Sequence, residues 1–420
     1  MPPRSAPATE RIPSALTHLQ TTPPGAPRRS AARALAGVLR EHLFADVLPF
    51  WETHARDPLG GLRTCLAGDG RVVSGDRWGW SQLRAVWVFA RLFNTLDRDP
   101  RWLAWAQRIA SFYLQHGWLD SARGWALVLA DDGRVLRGHE STYTDSFAVY
   151  GLQELFKADG DVRWLDAARR TADAALALLA GPRDRVPHFP YGIPPGARPH
   201  GIPMLWSLTF AELGATAGDE RYLAAAAALS DEIFRDHVRP ARDVMIEFVR
   251  LDGGDFPGPE GNAIVPGHVI EDMWFQWHAA QLCGRGRERA PEMFRLMARH
   301  FDLGWDRERG GLYLAVGADP ARPVGWAFAD TKLWWPHTEA LYGALLAWRE
   351  TGSPAWLEWY AKTWDICDRH FVDRTHGEWR QKLDRDFRPI DDVVALPVKD
   401  PFHLPRSLIL QIELLESLPA

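Results

Sequence analysis

Cysteine is scarce: Cys65, Cys283 and Cys367 are the only three in 420 residues. They lie far apart, are odd in number and form no zinc or redox motif, so a reducing cytoplasm is the expected compartment. Long apolar runs are missing too, and no stretch reaches the roughly eighteen residues that a membrane helix needs. Positive charge is not in excess. The formal net charge is −5, which argues against a nucleic-acid footprint and against a polybasic membrane surface. The stretch Met1 to Ser30 lacks the apolar segment of a secretory signal. It is rich in Pro, Ala, Ser, Thr and Arg and reads as a disordered arm, which leaves 31–420 as one catalytic domain. There is no His-x-x-x-His pair, no carboxylate cluster at ligand spacing and no Gly-rich Walker loop, so neither a metal nor a cofactor is expected.

What is abundant is tryptophan, with 21 copies against 8 tyrosines. Such rings suit an apolar core, and their flat amphipathic faces also suit sugar stacking. Helical periodicity runs through twelve segments: 31–52, 81–97, 101–116, 142–158, 161–180, 203–217, 219–236, 267–282, 287–302, 331–351, 354–371 and 402–418. Short connections built from Gly, Pro and Asp follow the even segments, as in Asp97-Arg98-Asp99-Pro100 and Asp159-Gly160. Long connections precede them. The even segments start near 81, 142, 203, 267, 331 and 402, a repeat of 61–71 residues. Arg101-Trp102-Leu103, Arg163-Trp164-Leu165 and Arg221-Tyr222-Leu223 echo one another after the short turns. The long loops carry alternating segments such as Gly311-Leu312-Tyr313-Leu314 that read as short β-hairpins.

Six helical hairpins form either an open solenoid or a closed ring. Neither end of the chain shows an atypical capping repeat. The expected fold is therefore all-α: an (α/α)6 barrel with the even helices inside. Every long loop then lies at one end, where all six inner helices begin, and that end should hold a pocket facing helix N-termini. The unusual chemistry collects at those starts. Arg84 lies on the first inner helix, Tyr143 on the second, His268 and Glu271 on the fourth, Trp334, Trp335 and Glu339 on the fifth, and His403 and Arg406 on the sixth.

Four of these segments carry a resemblance: Trp80-Ser81-Gln82-Leu83-Arg84-Ala85-Val86-Trp87, Pro266-Gly267-His268-Val269-Ile270-Glu271, Lys332-Leu333-Trp334-Trp335-Pro336-His337-Thr338-Glu339-Ala340 and Phe402-His403-Leu404-Pro405-Arg406. In order and spacing they resemble the N-acylglucosamine 2-epimerase family, over about residues 35–418. The resemblance implies a cofactor-free sugar 2-epimerase or aldose–ketose isomerase on an (α/α)6 barrel. It places the two catalytic histidines on His268 and His403, a conserved arginine on Arg84, and supporting glutamates on Glu271 and Glu339. Members acting on mannose or cellobiose carry a histidine on the third inner helix, where this chain has Trp206. Cellobiose epimerases place a tryptophan shortly before the second histidine, whereas Val398 to His403 has none. Both departures favour N-acetylglucosamine and N-acetylmannosamine as substrates, although His200 could reach the place of the missing histidine.

Inverting C2 of an open-chain aldose requires a base on one face, an acid on the other and a donor for the enolate oxygen. Imidazole titrates near working pH and suits both proton transfers. His268 and His403 are the expected pair, with Arg84 on the oxygen. Glu271, one turn from His268, is expected to orient that ring. Glu339 is expected to bind sugar hydroxyls or to orient His403. Tyr143, Trp206, Trp334, Trp335 and Arg406 complete the candidate substrate-binding set, and core packing is an equal reading for each tryptophan. Isomerisation differs only in returning the proton to C1. An inverting glycosidase using Glu271 and Glu339, or a binding protein, are the rival classes. The only expected partner is a small sugar, with a homodimer left open.

Overall fold

The computed structural model describes residues 7–120, 124–390 and 398–418. Its helices run α1 Ala8–Thr21, α2 Ala26–Glu41, α3 Leu48–His54, α4 Gly79–Arg91, α5 Pro100–His116, α6 Thr142–Asp159 and α7 Val162–Leu179. They continue as α8 Gly201–Ala217, α9 Glu220–Glu232, α10 Pro266–Leu282, α11 Ala290–Gly304, α12 Trp334–Thr351, α13 Ala355–Ile366 and α14 His403–Glu416. The even helices from α4 onward pack on one another in chain order, and α14 returns to α4. Each also packs on an outer helix that follows it, except α14, which takes α2 from the far end of the chain. The expected (α/α)6 ring is thus closed by joining its two ends, which is why no capping repeat exists.

Burial separates the two rings. Every residue of α12 from Trp334 to Trp348 is buried, as expected of a helix surrounded on all sides. Outer α11 instead buries one stripe, including Met293, Phe294, Met297, His300 and Phe301. The echoed Arg-Trp and Arg-Tyr segments prove to be outer-helix starts. Asp99, Asp161 and Asp219 each accept the backbone N–H two residues on, the N-cap bond worth about 1 kcal/mol. Trp102 and Trp164 reach back to Asp97 and Asp159 at the ends of the preceding inner helices, at 2.9 and 3.1 Å. Gly160 ends α6 at φ +71°, the left-handed conformation that glycine adopts without cost.

Four inner helices carry proline in the first turn, at Pro203, Pro266, Pro336 and Pro405, where its missing N–H leaves no helical bond unmade. The long loops gather at that end. Hairpins form at Val128–Leu129 with Val135–Arg137 and at Val238–Arg239 with Val244–Met245. At Gly311–Leu314 there is only a single bridge, from Leu312 to Trp305. More of the pairing runs between successive loops. Arg77–Trp78, Ala197–Pro199, Ala263–Ile264 and Lys332–Leu333 each precede an inner helix and pair antiparallel with the next long loop. The loops are therefore stitched into a collar around the pocket.

The expected disordered arm is corrected over its described part. Residues 8–21 form α1, which buries Ile12, Leu16 and Leu19 against α2 and α13. The stripe has helical spacing, but Pro-, Ser- and Thr-rich composition concealed it. Residues 1–6 of the expected arm lie outside the described residues. No described helix is long and apolar enough to cross a membrane.

Candidate active site

A pocket opens at the collar end of the barrel. Its wall includes Trp80 and Arg84 from α4, Tyr143 from α6, and His268 and Glu271 from α10. Met204 and Leu205 from α8, Trp334 and Trp335 from α12 and His403 from α14 complete the inner-helix contribution. Leu333 and Lys382, which lie on the paired strands Lys332–Leu333 and Lys382–Leu383, and Asp400 line it from the loops. Pro266 starts α10, and Gly267 lets the helix approach Trp335. A Cβ there would lie 2.7 Å from the indole ring.

Each pocket histidine rests on a carboxylate through Nδ1. His403 Nδ1 lies 2.8 Å from Glu339 Oε1, and His268 Nδ1 lies 3.0 Å from Glu247 Oε2. With Nδ1–H donated to a carboxylate, Nε2 is left as the atom for proton exchange. Burial, and after it the Arg84 guanidinium, lowers the His403 pKa to about 3, so the resting ring is neutral. Burial alone would raise Glu247. His268, then His200 and His237, outweigh it and bring Glu247 down to about 2, so it stays ionised.

Glu271 is the clearest correction. It lines the pocket, but its carboxylate pairs with Arg406 rather than with His268. The same Arg406 Nη2 donates to Glu339 Oε1 at 2.7 Å. Arg406, expected among the substrate-binding residues, is 1% exposed and lies behind the pocket wall, where it clamps two carboxylates. Glu339 also accepts from Trp274 Nε1 at 3.2 Å. It holds His403, one of its two expected roles, and does not line the pocket. Trp206 is corrected as well. It is fully buried, donates to Thr142 Oγ1 at 3.1 Å and lies off the pocket, where Met204 and Leu205 stand instead. Helical rotation accounts for this, since residues one and two positions earlier occupy another face.

Arg84 is packed between the Phe147 and Phe402 rings, at 4.1 and 5.1 Å, and its Nη1 donates to Asp400 Oδ2 at 2.7 Å. Its Nε has no partner among the described residues. The same is true of the indole N–H groups of Trp80 and Trp334. Three buried donors on pocket residues are thus unmatched, an arrangement that suits a ligand rich in oxygen acceptors. Tyr143 stands over Trp80, with ring centroids 6.1 Å apart, and its hydroxyl lies 2.5 Å from His188 Nε2.

Sequence reasoning missed Glu247, Asp400, Tyr191 and Lys382. Glu247 left a trace, being the lone charge in the apolar run Val244 to Val249. The expectation of no ligand cluster needs revision too. The fold gathers His200, Glu247 and His268, and separately Glu271, Glu339 and His403, each group with donor atoms within 4.8 Å of one another. That spacing also rules out the inverting-glycosidase assignment of Glu271 and Glu339, which requires carboxyl groups about 6.5–9.5 Å apart.

The comparisons with known proteins agree with this fold. The N-acylglucosamine 2-epimerase (GlcNAc 2-epimerase) family profile matches residues 60–404. The N-acylglucosamine 2-epimerase of Bos taurus is 30% identical over 383 residues, covering 89% of each chain. The cellobiose 2-epimerase of Ruminococcus albus is 22% identical, covering 87% of this chain and 95% of its own. The cellobiose 2-epimerase structure from Spirochaeta thermophila superposes with a TM-score of 0.77 at 22% identity, covering 94% of this chain and 99% of that one. This chain belongs to the N-acylglucosamine 2-epimerase family, whose named members here are sugar epimerases and isomerases.

Proposed function

We propose that this protein is a cofactor-independent 2-epimerase interconverting N-acetylglucosamine and N-acetylmannosamine. The observation that carries this reading is the pair of histidine–carboxylate couples, His268–Glu247 and His403–Glu339, set on different inner helices of one pocket. Two bases on separate walls can address the two faces of C2. A single base could exchange the C2 proton but would return it to the same face.

In the forward direction the open-chain sugar presents its carbonyl to the donors at Arg84. A neutral imidazole takes the C2 proton through Nε2, and the electron pair moves onto the carbonyl oxygen as an enolate. Arg84 meets that charge in a pocket walled by Trp80, Trp334 and Trp335, where little water competes. The other imidazole, as imidazolium, returns a proton to the opposite face. His403 starts neutral and is ready to accept. Glu247, ionised throughout, stays paired with His268 as that ring changes charge. Arg406 balances Glu271 and Glu339, so that Glu339 can hold His403 without leaving two buried carboxylates uncompensated.

The acylaminosugar choice rests on the similarity to N-acylglucosamine 2-epimerases and on Val398 to His403, which has no tryptophan to stack on a second sugar ring. A cytoplasmic site of action is the reading that the three free cysteines support. The test is proton NMR of N-acetylglucosamine, N-acetylmannosamine, mannose and cellobiose with the protein in D2O. The expected result is deuterium at C2 and accumulation of the C2 epimer from the acylaminosugars. A ketose product, or cleavage of cellobiose, would overturn the reading.

A further inference from the structure

Behind His268, away from the sugar pocket, lies His200. It is 1% exposed and immediately precedes α8. Its Nε2 lies 2.8 Å from Asp272 Oδ2, and Asp272 Oδ1 accepts from Gln276 Nε2 at 2.7 Å. That carboxylate favours the proton on Nε2, which leaves a lone pair on Nδ1. Nδ1 makes no hydrogen bond and faces Glu247 Oε2 at 3.9 Å. Glu247 Oε2 is the same oxygen that holds His268 Nδ1 at 3.0 Å.

We propose that His200, Glu247 and His268 form a Zn2+ site, and that metal bound there switches the enzyme off. Two imidazoles and one carboxylate are a donor set that zinc takes readily, at about 2.0–2.2 Å per bond, and such donors on a tetrahedral ion are about 3.4 Å apart. The three donor atoms already lie within 4.8 Å of one another, with two separations of 3.0 and 3.9 Å. Asp272 supplies the outer carboxylate that orients a metal-bound histidine. The second trio differs. Between Glu271 and Glu339 the cation is already the Arg406 guanidinium, whereas the ion-pair partners of Glu247 among the described residues are the histidines His200 and His268, whose nitrogens can serve as metal donors.

Inhibition follows from the tautomer of His268, and this part rests on the proposed function. For catalysis His268 keeps Nδ1–H on Glu247 while Nε2 carries the exchanged proton, gaining it in one direction and giving it up in the other. Zinc takes the Nδ1 lone pair. The ring is then left with its single proton on Nε2: from the neutral ring the Nδ1 proton moves to Nε2 through solvent, and from the imidazolium the Nδ1 proton is released to solvent. A ring metallated at Nδ1 cannot take up a second proton, so it can neither become the imidazolium that returns a proton to C2 nor, in the reverse direction, accept one.

The experiment is isothermal calorimetry of the chelator-stripped protein with Zn2+, beside His200→Gln, whose amide can still reach Asp272 but lacks the Nδ1 donor. Wild type is expected to bind one Zn2+ at least about 100-fold more tightly than His200→Gln. Losing a ligand should cost at least the roughly 10–100-fold that outer partners cost. The Co2+ derivative is expected to show a tetrahedral visible spectrum without a thiolate charge-transfer band. Zn2+ is expected to inhibit turnover, with the inhibition constant rising in His200→Gln by the same factor as the affinity falls. Should His200→Gln fail to fold, Glu247→Gln must lose the calorimetric site instead. Equal Zn2+ affinity in the variant and wild type, or a thiolate band with Co2+, overturns the site. Calorimetric binding at His200 that leaves turnover unchanged overturns the switch, and with it the role of His268 in proton transfer, while the D2O experiment stands independently.

Discussion

His337 and His403 are both buried in the first turn of an inner helix, yet their surroundings give them different work. His337 spends both nitrogens on the backbone: Nδ1 donates to Leu333 O at 2.7 Å and Nε2 accepts from Leu312 N at 2.9 Å. It pins a loop. His403 has Nδ1 on Glu339, and the nearest carboxylate oxygen to its Nε2 is Asp400 Oδ2, 3.8 Å away. Exchanging His268 or His403 for Asn is therefore expected to lower kcat by about 10²–10⁴, with an unchanged circular dichroism spectrum. Loss of less than about tenfold would remove the residue from the proton path. Glu247→Gln keeps the shape but not the charge beside His268. A fall in kcat of at least about tenfold, with KM nearly constant, is expected, because Glu247 acts through His268 and not on the sugar. A change confined to KM would make Glu247 a ground-state binding group. For the substrate, kcat/KM is expected to be higher for an acylaminosugar than for cellobiose, since an aromatic platform is worth about 1 kcal/mol and Val398–His403 lacks one. Steady-state kinetics on both sugars decides this.

At the scale of elements, the periodic segments were legible because burial imposes period. Inner and outer helices fall close to the expected spans, and the echoes at Arg101, Arg163 and Arg221 each follow an Asp N-cap whose bond is local in the chain. The collar was not legible. The strand Lys332–Leu333 pairs with Lys382–Leu383, and two-residue strands fifty residues apart leave no pattern in either segment. Helix α1 was hidden for a different reason. Pro13 and the surrounding Ser and Thr dominate its composition, while the large apolar side chains that it buries, Ile12, Leu16 and Leu19, are sparse. Removing residues 1–21 is expected to lower the melting temperature by several degrees without changing kcat. Ile12, Leu16 and Leu19 each contribute on the order of 1.5–3 kcal/mol by burial, an upper bound, and α1 packs on α2 and α13 away from the pocket. Differential scanning calorimetry of the truncated chain checks it, and an unmoved transition would return the segment to an unpacked arm.

For the whole molecule, acid stability is set by buried imidazoles. Burial lowers His237, His337 and His403 to about 3, and His278 and His300 to about 4, from an unfolded value near 6.5. The unfolded chain binds more protons than the native one between those values. Stability is therefore complete above about pH 6.5 and is lost as pH falls toward 4 and 3, by up to about 1.4 kcal/mol per pH unit for each ring. Urea unfolding at pH 7, 6 and 5 should show the midpoint falling at each step. A flat profile would mean that these rings are protonated in the fold. The sequence by itself determined the repeat, the ring of six hairpins, the end at which the pocket lies and the residues His268, His403 and Arg84 on its wall. Those are consequences of helical period and of motifs continuous in the chain. Only the tertiary structure decided which carboxylate serves which imidazole. Glu271 is one turn from His268 in sequence, yet Arg406, 135 residues away, takes it, and Glu247 reaches from a bend in the long loop before α10 to hold the ring. Charge pairing in a closed barrel is settled by which helices meet across its axis, and no local spacing records that.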